Sequence, residues 1–184
     1  MKFLWFIGSL PKEARFQPLG KGAISKVSRI VTVGKGGIVP TGNVIKESIN
    51  PENNQIAQKQ YSDQVSMVRK GLKALAANPV DRVLLRQATD LFPKADIILH
   101  NNQMALQQEE VTPLTKADIS AKRKKQLAEA TGNRLERIRK RFMELGIPNA
   151  DKLSPEEVRY NLGNLGIKGK KIKAIDFISN PLDL

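Results

Sequence analysis

LTKADISAKRKKQLAEATGNRLERIRKRFMELGI, residues Leu114 to Ile147, carries the densest charge in the chain together with a regular apolar spacing. Leu127, Thr131, Leu135, Ile138, Phe142 and Leu145 recur at steps of three and four, which keeps them on one face of a 3.6-residue helix. Lys116, Lys122, Arg123, Lys124, Lys125, Arg134, Arg137, Arg139, Lys140 and Arg141 face only Asp118, Glu129 and Glu136, a local balance of +7. The spacing predicts one long helix with a packing face and a cationic face. Thr115 is placed to cap it, with Asp118 three residues on, and Gly146 followed by Pro148 supplies the stop. Gly132 in mid-run costs about 1 kcal/mol against Ala and admits a break into two helices.

More than half of the net charge of +13 therefore sits on this one element. Residues 1–35 hold the remaining +6, while residues 36–115 and 142–184 each balance to zero. Charge of this size argues about partners and not about fold: it points to nucleic acid first, then to an acidic protein surface or an anionic membrane. With 40% hydrophobic residues, 5% aromatic residues, 10 prolines and 13 glycines, the 184-residue chain predicts a modest core split between two small helical clusters. The absence of cysteine removes disulfides, thiolate metal sites and cysteine nucleophiles, and structural zinc with them. The apolar start Phe3-Leu4-Trp5-Phe6-Ile7 is broken by Gly8-Ser9 and Pro11 before it reaches the length of a signal-peptide core. No stretch approaches the roughly 18 apolar residues of a membrane span. The expectation is a protein of the cytoplasm or of a virion, not exported by a signal peptide.

Working outward, residues 1–22 mix Phe3, Trp5, Phe6 and Phe16 with basic groups, and Pro11 and Pro18 oppose helix. Two readings stand: an extended arm whose aromatics anchor in a neighbouring subunit, or a terminal segment packed on its own domain. Residues 23–49 are rich in β-branched side chains punctuated by Gly34-Lys35-Gly36-Gly37 and Thr41-Gly42-Asn43, so short strands with tight turns follow. The glycine run lacks the spacing of a phosphate loop and reads as a hairpin turn. Residues 50–112 read as a helical cluster, with Ala57, Tyr61, Val65, Val68, Leu72 and Leu75 on the seam of a helix over about 53–77. A second helix starts at Asn78-Pro79 and ends at Phe92-Pro93. Ile97-Ile98-Leu99 allows a strand, whereas Met104-Ala105-Leu106 followed by Gln and Glu favours helix. After the basic helix at 113–147, residues 148–184 read as a helical hairpin: Ser154-Pro155-Glu156-Glu157 opens its first helix, and Ile172, Ile175 and Ile178 mark a last short one. The fold class is then mainly α with a small β element (α+β).

Two resemblances add to this. The β-rich, Gly-punctuated opening, Asn50-Pro51 and a Gln-rich helix carrying Arg69 resemble, over residues 22–72, the first part of some small structural proteins of tailed bacteriophages. That resemblance implies a virion role. Residues 153–178, centred on Leu165-Gly166-Ile167-Lys168-Gly169-Lys170-Lys171-Ile172-Lys173, are similar to a helix-hairpin-helix, in which a glycine hairpin opens a helix whose first amides hold a DNA phosphate. Lys168, Lys170, Lys171 and Lys173 then form a second cationic site.

No catalytic constellation emerges. His100, the only histidine, has no nearby partner for a metal site or a triad, and Glu109-Glu110 and Glu156-Glu157 sit where helix ends explain them. The chain reads as a non-enzyme without cofactor or metal, whose partners are other subunits of a large assembly and nucleic acid or another polyanion. The candidate contact residues are Lys122, Arg123, Lys124, Lys125, Arg134, Arg137, Arg141, Lys168, Lys170, Lys171 and Lys173. A virion structural protein is the leading expectation; a ribosome-like particle protein or a free, non-specific DNA- or RNA-binding protein is the alternative.

Overall fold

A computed structural model describes residues 10–21, 25–49 and 54–178. Among them are eight strands and four α-helices, arranged as two compact units. A five-stranded and a three-stranded antiparallel sheet replace the expected mainly helical fold, so the class is strand-rich α+β.

The first unit comprises residues 1–65 and 94–110. Its sheet has the order β1-β2-β3-β5-β4, formed by β1 (Arg15–Lys21), β2 (Ser25–Gly34), β3 (Gly37–Ser48), β4 (Ala95–His100) and β5 (Gln103–Glu109). β2 and β3 are joined at Lys35-Gly36, with Gly34 paired to Gly37. The segment from residue 95 to 109 is a hairpin and not a helix. Asn101 and Asn102 hold φ of 50° and 61°, and positive φ at both central residues is the requirement of a two-residue type I′ turn. On one face Leu106 packs with Ala57, Tyr61 and Val65 of the helix α1 (Asn54–Ala77). On the other, Ile30, Ile45 and Ala105 form a second cluster, on which Leu10, Ala14 and Phe16 rest. With cover on both sides, β5 buries Ala105 and Leu106 alike, along with Gln107 and Gln108. The helix preference of that segment yields to burial and strand pairing.

Phe16, expected on an arm reaching a neighbour, lies on β1 and packs into its own unit, its ring 4.4 Å from that of His100. His100 in turn places Nε2 3.7 Å from the Glu47 carboxylate. Phe3, Trp5 and Phe6 lie outside the described residues. Arg29 reaches Glu110 through three hydrogen bonds of 2.6 to 3.0 Å, and those bonds raise the Arg29 pKa above its ordinary value.

The second unit comprises residues 66–93 and 111–184. It holds the later turns of α1, α2 (Arg82–Leu91), α3 (Ala121–Glu144), α4 (Pro155–Tyr160) and a sheet of order β6-β7-β8, from β6 (Thr112–Pro113), β7 (Leu165–Lys168) and β8 (Lys171–Ala174). Three phenylalanines mark its core: Phe92 lies 4.8 Å from Phe177 and 6.4 Å from Phe142, ring centre to ring centre. α4 starts as the sequence signals it, with the Ser154 hydroxyl accepting from the Glu157 amide and Pro155 in the first turn.

The expected last helix is absent from residues 165–174. Lys168 pairs with Lys171 across a two-residue loop in which Gly169 takes φ of 60°, and Ile167 pairs with Ile172. The segment is a β-hairpin, so the lysines do not stand in a helical first turn and the phosphate geometry implied by the helix-hairpin-helix resemblance is not formed there. The isoleucine spacing of three misleads because Ile172 lies on β8, Ile175 lies beyond its end, and Ile178 forms a separate bridge with Leu153.

Candidate nucleic-acid interface

α3 begins later than the sequence suggests. Leu114–Lys116 is a separate 3₁₀ turn and Ala117 is extended, so Ser120 and not Thr115 is the N-cap, its hydroxyl accepting from the Arg123 amide at 3.3 Å. From Ala121 the helix runs unbroken for 24 residues. Ala128, Thr131, Gly132, Leu135, Ile138 and Phe142 are its buried face. Gly132 marks close packing and not a break: a Cβ there would collide with the stem of Arg159, which crosses the helix at that point. Arg159 is tied to Glu156, to Asn133 at 2.9 Å and to Glu129 at 3.7 Å, and so fastens α4 across α3.

The predicted contact residues fall into two groups. Lys122, Arg123, Lys125 and Arg137 are exposed on α3, as is Lys140, and Arg134 is half-buried. None of these six has a side-chain hydrogen bond or ion pair among the described residues. Lys122, Arg123 and Lys125 stand in the first two turns, and Arg134, Arg137 and Lys140 in the second half of the helix, with Glu129 and Asn133 on the exposed face between the two groups. The other members are engaged within the protein. Lys124 donates to the Thr115 carbonyl at 3.0 Å. Arg141 donates through Nε and Nη2 to the Asp81 carboxylate at 2.9 to 3.1 Å and through Nη1 to Glu144 at 2.9 Å. These bonds, Asp81 first, raise its pKa above the ordinary arginine value. Arg141 is a clamp between α3 and the start of α2.

The second predicted site divides in the same way. Lys173 is only 6% exposed, and its ammonium donates to the carbonyls of Phe92 at 3.0 Å and Thr89 at 3.4 Å. Those carbonyls belong to the end of α2, where the helix leaves acceptors unpaired and where a cation is favoured by the helix dipole. Lys171 pairs with Asp90 on the same last turn. Lys168 and Lys170 are exposed at the hairpin end, and Lys168 is not without an interaction of its own.

Sequence reasoning missed Arg82 and Arg86, both exposed on α2 opposite the buried Ala88 and Leu91. Their spacing of four was the available signal. Among the described residues no three His, Asp or Glu side chains converge as metal ligands, and no helix is long and apolar enough to cross a membrane. Neither a protein-family model nor a curated protein matches the chain.

Proposed function

We propose that this chain is a non-enzymatic structural component of a nucleic-acid-containing assembly, a virion protein that touches neighbouring subunits and the sugar-phosphate backbone of the packaged genome. The observation that carries the reading is the set of exposed cations on α3, Lys122, Arg123, Lys125, Arg137 and Lys140, which remain without an intramolecular partner among the described residues after Lys124, Arg139 and Arg141 are accounted for. Phosphate attracts such a face without regard to base sequence. Base reading needs amides or a planar fork placed on a groove edge. On the exposed face of α3 the amides are Gln126 and Asn133, and Asn133 is held by Arg159.

The subunit-binding half of the reading rests on the first unit. Beyond Val31 on β2 and before Asn43 on β3, pairing to β1 and β5 stops, and among the described residues the two strands continue alone as a ribbon. Val33, Ile38 and Val39 are exposed on it. A lone two-stranded ribbon with apolar side chains is marginal in water and gains from a neighbour. The resemblance of residues 22–72 to phage structural proteins supports the virion setting.

The test is duplex binding across a salt series. Lys122, Arg123, Lys124 and Lys125 changed together to Gln should flatten log affinity against log salt by about three units, at about 0.9 for each phosphate that is no longer neutralised. The fold should survive, since these residues lie off the buried face. A slope equal to that of the parent removes the first two turns of α3 from the interface, and a parent chain with no salt-dependent duplex binding sinks the proposal.

A further inference from the structure

We infer that the duplex backbone is held by two helices of the second unit and not by α3 alone, with Arg82 and Arg86 of α2 joining Arg134, Arg137 and Lys140 of α3 in one composite cationic site; this rests on the proposed nucleic-acid role. The clamp brings the halves together. Asp81 immediately precedes α2 and holds Arg141, so Arg82 stands one residue from the clamp on one helix and Lys140 one residue from it on the other. Arg86 lies four residues from Arg82 and Arg137 three from Lys140, about one turn, or about 5–6 Å, along each helix.

The acids of these helices do not neutralise the site, because each has its own basic partner outside it. Asp81 and Glu144 hold Arg141, Glu136 lies 3.7 Å from Arg139, Glu129 lies 3.7 Å from Arg159, and Asp90 holds Lys171. The five cations of the composite site have no such partner among the described residues. Five cations without a partner among the described residues stand on two helices that the clamp joins, and a single carboxylate would answer only one of them. Duplex nucleic acid, with one charge per roughly 1.7 Å of axis, supplies a row of anions dense enough for both helices at once. Arg141 itself, saturated by Asp81 and Glu144, is a positioning residue that sets the spacing of the two halves.

The experiment uses the full chain and a mixed-sequence DNA duplex, titrated from low to moderate salt. Arg82→Gln with Arg86→Gln should flatten the salt slope by up to about 1.8 units, at about 0.9 per phosphate, with an unchanged melting temperature because both side chains are exposed. Asp81→Asn separates geometry from charge. It deletes a negative charge beside the site, so charge alone predicts tighter binding, whereas loss of the clamp predicts a weaker complex and a shallower slope. An Arg82/Arg86 variant that binds as the parent does, while the four-residue α3 variant is weakened, overturns the composite site and leaves the proposed function standing. A parent chain with no salt-dependent duplex binding overturns both, and binding to an acidic protein in its place would identify the cations as a protein-docking surface. An Asp81→Asn variant that stays folded and binds more tightly overturns the positioning role of Arg141.

Discussion

Two lysine-rich runs, Lys122 to Lys125 and Lys168 to Lys173, look alike in sequence and do different things. The first opens α3, where three of its four side chains point to solvent and only Lys124 finds a backbone carbonyl. The second forms a hairpin laid against the end of α2, where Lys173 is buried on two carbonyls and Lys171 answers Asp90. Basic residues close in sequence are therefore not interchangeable as ligands for an external anion. What separates them is whether an acceptor of the same unit lies within reach.

The largest expected effect that tests this contrast is on stability. Lys173→Ala removes a charged donor from the buried carbonyls of Phe92 and Thr89 and should cost about 1.5–3 kcal/mol, while Lys125→Ala should stay within about 0.5 kcal/mol. Urea unfolding of the two variants measures the gap, and equal midpoints would erase the distinction between the runs.

A smaller effect of opposite sign is expected at α3. Its first turn contains no acid and several cations, an arrangement the helix dipole disfavours by about 0.3–1 kcal/mol per charge at low salt. Arg123→Glu also places an acid three residues after Ser120 and completes a capping box. Lys122→Glu with Arg123→Glu should raise the melting temperature while weakening duplex binding; a variant that melts lower refutes the view that these cations are kept at a cost to stability.

The smallest effect belongs to the exposed pair of the hairpin. Lys171→Ala breaks a surface ion pair with Asp90 and should cost about 0.2–1 kcal/mol, and Lys171→Glu somewhat more, since it sets two carboxylates together. A stabilised Lys171→Glu variant would mean that this lysine opposes a helix dipole instead of answering an acid.

Legibility in the sequence varied by element for physical reasons. The seam of α1 could be read residue by residue: Ala57, Tyr61, Val65, Val68, Leu72 and Leu75 are all buried. The β4-β5 hairpin carried a readable turn, Asn101-Asn102, but Gln and Glu after Leu106 spoke for helix, and only cover on both faces made β5 a strand. Among the cations, Lys122, Arg123 and Lys125 were legible as exposed, since nothing near them in sequence competes for them. Arg141 was not, because Asp81 lies sixty residues away in the chain. Arg82 and Arg86 were passed over because α2 shows no concentration of charge until α3 is fastened beside it.

The sequence by itself determined the net charge, its concentration on one amphipathic helix, the buried faces of α1 and α3, and the start of α4 at Ser154-Pro155. These are matters of local spacing, in which three- and four-residue periodicity and a capping hydroxyl act within a turn or two. Tertiary structure decided the strand content, the conversion of residues 165–174 to a hairpin, and which cations remain available. Each depends on partners distant in sequence: Thr112 pairs with Ile167, Lys173 finds the end of α2, and Asp81 takes Arg141. An unpaired donor, acceptor or charge is costly only once burial has removed its water, and which groups are buried together follows from how the chain closes on itself.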